Sequence, residues 1–457
     1  MAKVIKSGEV DMCNGPLFSK IIKFFIPVML SNVLQMLYNA ADQAVVGAFA
    51  GSDALGSVGS TSALTTLIVS LVMGLSIGTS TLVARQFGAG NREAVSRAVH
   101  TSIYISLICG FAIGVFGFFV ARPALLLMGT QEEVLEGAVL YMQITFVGLP
   151  SLSLYNFGSA ILRAVGDTKR PMYYLTISGM VNVLFNLIFV IFFKMGVAGV
   201  AAATIIAQTL SATLTVRCLL RSDGCYKLSP SKLKLHKAES MQIIMVGVPS
   251  ALQTSMFSLS NIIIQSGVNS ISKAAVAGCA AAATIESFVY QAMHSLYYTA
   301  LSFCGQNFGA GKYKRILKSM LYCAAIVTVV GLSLGVVALY FDDFLFGIFI
   351  NDSPEAIVFG KQRLLMVCVS YFLCGLMDVT CAALRSLNHA IPALINSIVG
   401  ACLFRIVWMS TVFKHYNSVS SIYITYPLSW IITLTLNLIL FTLFFRKYRK
   451  KENLLNA

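Results

Sequence analysis

The run Phe87-Gly88-Ala89-Gly90 occurs again as Phe308-Gly309-Ala310-Gly311, about 221 residues further along the chain. Both copies follow a long apolar segment and precede a basic one. The pair Leu162-Arg163 is likewise matched by Leu384-Arg385 in the second half. The repeat unit is therefore half the chain, which excludes a solenoid built from short units. The sequence predicts two similar halves.

The composition is that of a membrane protein. Hydrophobic residues make up 57% of the chain, the mean hydropathy is +0.80, and only 11% of the residues are charged, against about 25% in soluble domains. A helix needs about 20 apolar residues to cross a bilayer, and each half contains about six such stretches. The predicted spans lie near 21–48, 54–83, 98–121, 138–161, 172–193, 197–220, 241–270, 276–304, 317–341, 361–384, 391–413 and 419–445.

These stretches predict an all-α polytopic membrane protein of twelve transmembrane helices in two pseudo-symmetric six-helix bundles. The predicted domains are an N-terminal lobe at 1–221, a linker at 222–237 and a C-terminal lobe at 238–457. Two similar halves in so apolar a chain are typical of secondary transporters, which bind substrate between the halves and rock them against each other.

Sequence signals for other functions are missing. The chain has no phosphate-binding loop, nucleotide fingerprint or nucleophile elbow, which argues against an ATP-driven pump. The 11 cysteines and five histidines show no metal-ligand or redox spacing. A membrane enzyme would need converging His, Asp or Cys groups, and a channel would need a ring of equivalent residues. We expect neither an enzyme nor a bound cofactor.

The charged residues indicate the orientation. The net charge of +15 could suggest a nucleic-acid partner, but the basic residues lie in alternate short loops. Arg92 and Arg97 follow the second span and a basic run at 446–451 closes the chain, whereas the opposite loops carry acids such as Glu133. By the positive-inside rule, both termini and the 222–237 linker are predicted to be cytoplasmic. The expected partner surface is a lipid bilayer, not nucleic acid.

Three acidic residues fall deep inside predicted spans: Asp42, Glu286 and Asp378. An ionisable group at the bilayer centre costs at least about 2.5–3.5 kcal/mol, so it rarely persists without a role. The alternative for each is a carboxylate that only holds neighbouring helices together.

Asp42 lies among neutral polar residues. Gln35, Tyr38 and Asp42 share one helical face, because they are spaced i, i+3 and i+7. One carboxylate with several neutral oxygens suits a proton or a sodium ion, since hard cations take oxygen ligands. Hydrogen bonding between helices is the alternative for the amides and the hydroxyl. The predicted cation-coupling residues are Asp42, Asn182, Asn186, Thr204, Tyr38 and Gln35, with no metal other than Na⁺ at Asp42.

The second half carries a different set. Glu286 is followed on the same helical face by Tyr290, Met293 and Tyr297, at i+4, i+7 and i+11. Such a face would attract a lipophilic organic cation by charge, cation–π contact and adaptable packing. In the tenth span, Asp378 stands seven residues after Tyr371. The alternative is ordinary core packing. The predicted substrate-binding residues are Glu286, Tyr290, Met293, Tyr297, Asp378 and Tyr371.

Several motifs together resemble the multidrug and toxic compound extrusion (MATE) family, in a bacterial branch. The resemblance covers nearly the whole chain and rests on the order and spacing of the motifs. The matching runs are 37–47 (LYNAADQAVVG), 85–90 (RQFGAG), 162–168 (LRAVGDT), 305–311 (GQNFGAG), 404–408 (FRIVW) and 426–430 (YPLSW).

The resemblance implies a V-shaped pair of bundles and export of organic cations and other lipophilic drugs, driven by inward flow of H⁺ or Na⁺. It implies a multi-pass protein of the bacterial plasma membrane, expected to be a monomer. Asp42, Asn182 and Thr204 look like members of the family's cation site, and Asp378 resembles the family's aspartate of the tenth span. Asn186 departs from the best-matching pattern, which has an aspartate there.

The alternative function is a flippase for lipid-linked saccharides or cell-wall precursors, from the same superfamily. A flippase that handles anionic diphosphates should line its cavity with arginine and lysine. Arg405 is the main candidate for a basic residue at mid-depth in the sequence.

Overall fold

The computed structural model describes residues 10–350 and 353–455, and its described part is helical, with no strand. Positions 1–9 and 456–457, which contain the two termini, lie outside the described residues. In the first half the helices are α1 (Leu17–Phe49), α2 (Ser52–Gly88), α3 (Arg92–Leu127), α4 (Glu132–Val165), α5 (Lys169–Leu187), which continues as a π-helical turn (Ile188–Phe192), and α6 (Gly196–Arg221).

The second half repeats this order with more interruptions. After a 3₁₀ turn (Pro230–Lys232) come α7 (Lys237–Asn269), α8 (Lys273–Gly309), α9 (Tyr313–Tyr340), α10 (Asp342–Phe349) and α11 (Pro354–Ser386). They are followed by α12 (Ala390–Ser397), a π-helical segment (Ile398–Leu403), α13 (Phe404–Ser410), α14 (Val412–Tyr416), α15 (Val419–Tyr423) and α16 (Thr425–Leu455).

The repeated glycine motif forms the same turn twice. Gly90 follows α2 with a φ of 73° and Gly311 follows α8 with a φ of 70°, a backbone conformation that glycine adopts without strain. Each glycine donates its backbone N–H to the carbonyl of the motif's phenylalanine, at 3.1 Å in both copies. The motif is therefore a helix-ending turn that sends α3 and α9 back along the preceding helix.

Eleven helical segments in the described part of the chain are long and apolar enough to cross a membrane. The remaining predicted span, near 276–304, corresponds to α8, which has 37 residues but carries Glu286 and His294 and is too polar to meet the same criterion. The polarity of α8 is concentrated where the candidate substrate site was predicted. The predicted helical membrane fold is thus present, with one span less apolar than its partners.

The packing forms two compact units. Of the described residues, one unit contains Val10 and 30–251, and the other contains 11–29 and the chain from 252 onward. This differs from the division by sequence, because α1 and α7 are each shared between the units close to Pro27 and Pro249. In the second unit, for example, Phe24 of α1 packs edge-on against Phe303 of α8, with ring centroids 5.6 Å apart.

The start of α7 belongs to the first unit for a similar reason. Arg97 of α3 binds Glu239 of α7 through an Nε–Oε1 contact of 2.6 Å. Gly78 of α2 lies against the backbone of α7 so closely that an added Cβ would stand 2.1 Å from the carbonyl oxygen of Ile243. Lobes defined by the repeat alone assign the start of α1 and the start of α7 to the other unit. The assignment of these two segments depends on packing between distant parts of the chain.

Candidate functional site

Four of the six predicted cation-coupling residues form one hydrogen-bonded network in the first unit. Asn186 of α5 donates from Nδ2 to Oδ1 of Asp42, and Thr204 of α6 donates from Oγ1 to Oδ2 of Asp42 at 3.4 Å. Asn182 donates from Nδ2 to the Thr204 hydroxyl and accepts at Oδ1 from Nδ2 of Asn186, at 3.4 Å in each case. The three helices α1, α5 and α6 therefore meet at one carboxylate.

The local sequence explains this geometry. Asn182 and Asn186 are one helical turn apart, so both amides point to the same side of α5, where both are buried. Gly179, on the same helix, leaves room for the ring of Tyr38, which would stand only 1.8 Å from a Cβ at that position. Tyr38 also donates a hydrogen bond of 3.2 Å to the carbonyl oxygen of Thr176. Tyr38 thus sets the contact of α1 with α5 and does not touch Asp42.

Gln35, the sixth predicted residue, is half-buried on α1. Within the described residues it does not join the network around Asp42. Helical spacing placed it on the same face as Asp42, but it lies two turns away along α1, beyond the reach of the amides of α5.

The charge on Asp42 is not balanced by a basic residue. Across residues 10–350 and 353–455, the groups that donate to its carboxylate are a neutral amide and a neutral hydroxyl. The Oδ1 atom of Asn186 is buried beside it and accepts no hydrogen bond from the described residues. A carboxylate in this setting binds a cation or a proton when it leaves water, because an isolated charge in an apolar medium is strongly unfavourable.

A small apolar cluster adjoins the network on one side. Val46, Val190 and Val200 are buried and pack together, and each lies one helical turn from Asp42, Asn186 and Thr204, respectively. Tyr141 of α4 packs against the same cluster. We expect this cluster to keep water from one side of the network. No residue type or spacing in the sequence indicated it, since valines are common throughout the spans.

In the second unit, Glu286 is held by an arginine. Arg363 of α11 binds it with two parallel contacts, from Nε to Oε1 at 2.9 Å and from Nη2 to Oε2 at 2.7 Å. Arg363 also donates to the hydroxyl of Tyr423 at 3.0 Å. The sequence left two interpretations of Glu286 open, drug binding and a carboxylate that only holds helices together, and Arg363 was not selected as its partner. The charge of Glu286 is compensated inside the protein, which removes the main reason for expecting it to attract an organic cation.

Asp378 lies in an aromatic cluster centred on His294. The Nδ1 atom of His294 is 3.1 Å from Oδ2 of Asp378 and 3.3 Å from the hydroxyl of Tyr290. The imidazole stacks on Tyr297, with an interplanar angle of 4° and centroids 5.1 Å apart. Tyr371 continues the stack against Tyr290 at 6.3 Å. The structure thus brings together four predicted residues, Asp378, Tyr290, Tyr297 and Tyr371, around a histidine that was not selected from the sequence, although its spacing from Tyr290 places both on one helical face.

Met293 does not belong to this cluster. It is 1% exposed and packs against α9, where a Cβ on Gly331 would stand 2.7 Å from its sulfur atom. These contacts favour ordinary core packing for Met293 over substrate binding.

The second unit buries more arginine than the sequence suggested. Arg405 was the main candidate at mid-depth, yet Arg363 and Arg385 are also at most 8% exposed. Arg385 hydrogen-bonds to the hydroxyl of Tyr297 and to Oε1 of Gln253.

Arg405 binds only neutral groups. It donates to Ser429 and to Asn261, at 3.2 Å in each case, and its guanidinium lies 4.1 Å from the centroid of the Tyr426 ring. Unlike that of Arg363, its charge is not matched by a carboxylate of the described chain.

Comparison with known proteins decides the family. The sequence model of the MatE family matches residues 27–188 and again residues 249–409. The chain belongs to the MatE family. The two matches begin at Pro27 and Pro249, so the family unit is one half of the chain, in agreement with the repeat.

Known MatE relatives extend over most of the chain. It is 28% identical over 399 residues to the "Probable multidrug resistance protein YpnP" of Bacillus subtilis (strain 168), covering 86% of this chain and 88% of that protein. It is 23% identical to the "FAD transporter" of Shewanella oneidensis MR-1, covering 85% of this chain and 86% of that protein. The resemblance to a bacterial branch of the family is confirmed.

A solved structure confirms the fold. It is described as the outward-facing conformation of a multidrug resistance MATE family transporter of the MOP superfamily. It superposes with a TM-score of 0.91 at 22% identity, covering 98% of this chain and 100% of that chain. The chain therefore has the MATE fold, and with the family match it is a multi-pass membrane protein of the MatE family, as the resemblance implied.

Proposed function

We propose that this MatE protein is a secondary active antiporter that exports small organic solutes in exchange for inward-moving H⁺ or Na⁺. The observation that supports this most strongly is the network around Asp42, a carboxylate within a membrane span whose donors among the described residues are all neutral. Such a group changes its charge state when it binds a cation, and a transporter can couple this change to a conformational change. We place the protein in a bacterial plasma membrane, as a monomer with both termini cytoplasmic.

The network suggests how cation binding is sensed. An ionised Asp42 accepts hydrogen bonds from Asn186 and Thr204. A protonated Asp42 carries a donor instead, and the Oδ1 atom of Asn186, which lacks a donor among the described residues, can accept it once the amide turns over. A sodium ion would draw the carboxylate, the Asn182 carbonyl and the Thr204 hydroxyl together as oxygen ligands. Either event rearranges the contact between α1, α5 and α6.

The stiffness of α1 then determines whether the rearranged contact with α5 and α6 also alters the rest of this helix. Pro27 interrupts the backbone hydrogen bonding of α1, and the segments before and after it belong to different packing units. A change at Asp42 can therefore alter the bend of α1 at this position. In the proposed cycle, solute leaves outward when the cation binds, and cation release inside resets the carrier.

The membrane potential limits which exchange is useful. One charge that moves inward gains about 2.3 kcal/mol per 100 mV, which corresponds to about a 50-fold concentration ratio. Exchange of one monovalent cation for one monovalent organic cation is electroneutral and gains nothing from the potential. A net inward charge requires more than one coupling ion per cycle or a neutral or anionic solute.

For the solute, the aromatic cluster around His294 favours planar lipophilic compounds. Tyr290 and Tyr371 are partly exposed and form a stacked pair of rings, a surface that suits flat aromatic molecules and organic cations. Asp378 supplies a carboxylate that is bonded to a neutral or protonated histidine. This cluster is the part of the predicted drug site that the packing supports best.

Arg405 favours a second candidate, solutes that carry a carboxylate or phosphate. It is 2% exposed, and its hydrogen-bond partners in the described part of the chain are neutral, so an anionic group would restore the charge balance. One relative is named a FAD transporter. A flippase for lipid-linked diphosphates would also need a basic residue to bind its anionic substrate. Arginine is suited to both groups, because its planar fork matches carboxylate and phosphate oxygens.

Transport in proteoliposomes under separately imposed H⁺ and Na⁺ gradients tests the main proposal. We expect one of the two gradients to drive uphill movement of a cationic dye in the unmodified protein. Asp42→Asn should abolish it, because the substitution keeps the shape and removes the charge. Asp343→Asn, which removes a carboxylate that is 87% exposed in α10, should leave it unchanged. Uphill transport by Asp42→Asn at the unmodified rate would reject the coupling role.

A further inference from the structure

A second polar site lies outside the network and outside the aromatic cluster. A half-open cavity of about 310 Å³ is lined by the start of α5, the end of α6 and the first residues of the linker. The arginine, tyrosine and cysteine side chains that line it are Arg170, Tyr174, Arg217, Cys218, Arg221 and Tyr226. All of them lie in the first unit, and the antiport proposal uses none of them.

The cavity has an excess of positive charge. Arg170 shares its charge with the buried Asp167, with an Nε–Oδ2 distance of 3.3 Å. Arg217 and Arg221 stand one turn apart on α6, and neither bonds to a carboxylate of the described chain. Both guanidinium side chains are exposed and line one half-open cavity, where an anion between them would lower their mutual repulsion.

The donors fit a phosphate. Guanidinium groups bind phosphate oxygens in pairs through parallel N–H groups, and the i, i+4 spacing of Arg217 and Arg221 places two such forks side by side. The tyrosine side chains of Tyr174 and Tyr226 line the same space. A lone carboxylate or chloride would satisfy fewer of these donors than a phosphate with its several oxygens.

The surface next to the cavity is apolar. On α5, large side chains recur at a spacing of three or four residues and are between 48% and 66% exposed. This spacing makes a single lipid-facing stripe that begins beside Tyr174 and runs along the span. The stripe consists of Tyr173, Ile177, Met180 and Leu184.

We propose that this cavity binds the phosphate of an anionic phospholipid, with its acyl chains lying along the exposed stripe of α5. The head group is held by Arg217 and Arg221 and the chains are held by apolar contact. The site also reaches the linker, because Tyr226 is 3% exposed and Leu228 donates a backbone hydrogen bond of 3.0 Å to Leu219 of α6. Lipid binding would therefore fix the linker against α5 and α6.

Native mass spectrometry of the purified full chain provides the test, with phosphatidylglycerol and phosphatidylcholine as probes. We expect the unmodified protein to retain phosphatidylglycerol in preference to phosphatidylcholine. Arg217→Gln with Arg221→Gln should weaken this binding about 25-fold, since each basic residue near the membrane surface contributes about fivefold. The matched control is Lys314→Gln with Lys318→Gln, which removes two exposed charges at the same spacing on α9 and should leave binding unchanged.

A second measurement does not depend on the stability of the arginine variants. In a chain whose other cysteines are replaced, phosphatidylglycerol should slow alkylation of Cys218, which lines the cavity, and phosphatidylcholine should not. Glycerol phosphate added to the same assay separates the two sources of phosphate. Protection by glycerol phosphate alone would keep the anion site and reject the lipid as its occupant.

Other outcomes would overturn the proposal. Equal retention of both lipids, or equal loss of binding in the arginine and lysine variants, would mean that only general surface charge attracts lipid. Neither outcome would bear on the role of Asp42, which is measured by ion-driven transport.

Discussion

The ion pair between Glu286 and Arg363 provides a prediction that separates a structural role from drug recognition. Both side chains are nearly fully buried, at 3% and 8% exposure, and two hydrogen bonds join them. Removing one partner leaves a buried charge uncompensated, which costs about 3–5 kcal/mol. In a domain of about 150–250 residues, this corresponds to a Tm lower by about 6–20 °C.

The perturbation is Glu286→Gln, which keeps the shape of the side chain and removes its charge. Thermal unfolding of the detergent-solubilised protein should show the loss of stability, and adding Arg363→Met should restore most of it, because the second change removes the stranded charge. The surface pair of Arg122 and Glu136, at 2.8 Å with both side chains more than half exposed, provides the control. Glu136→Gln should cost less than about 1 kcal/mol.

Transport measured in the same variants completes this test. Per folded molecule, Glu286→Gln should transport a cationic dye and a matched neutral compound equally well, because its charge is already used by Arg363. An unchanged Tm together with selective loss of the cationic dye would refute the structural assignment and restore Glu286 to the drug site.

Three further predictions concern the coupling site and the solute. Asn186→Asp places a second carboxylate beside Asp42, and since two adjacent carboxylates cannot both ionise easily, the pH profile of efflux should move to higher pH; an unchanged profile would contradict this. Val200→Ser should let water past the apolar cluster and produce a proton leak in proteoliposomes without solute, whereas Val115→Ser, at a lipid-exposed position, should not. Equal leaks in the two variants would show that the apolar cluster does not exclude water. Arg405→Gln should reduce transport of anionic solutes at least tenfold and spare cationic ones, and the reverse result would exclude the second candidate substrate class.

Much of the fold could be predicted from the sequence because its signals are local. The glycine of each repeated motif requires a positive φ, and the apolar stretches are long enough to span a bilayer without reference to any contact. The network around Asp42 was also predictable in outline. A carboxylate in a span is costly, and the i, i+4 spacing of Asn182 and Asn186 places two amides on one face.

The rest depends on contacts between distant residues. Glu286 and Arg363 are 77 positions apart, and nothing in either local sequence indicates that they meet. Helical spacing places His294 between Tyr290 and Tyr297 on α8, but its contact with Asp378, 84 positions away, follows from packing against α11. The division of α1 and α7 between the packing units likewise depends on side chains such as Phe24, whose partner lies in the other half of the sequence.

The central claim is that cation binding at Asp42 makes the solute leave, and the most direct test is the affinity of the purified protein for a solute as a function of pH and Na⁺. In the unmodified protein the Kd should rise as pH falls or as Na⁺ increases, by up to about tenfold per pH unit if one proton competes with one solute. In Asp42→Asn, the Kd should not respond to the coupling cation. An Asp42→Asn protein whose affinity keeps the same dependence on pH and Na⁺ would contradict the account.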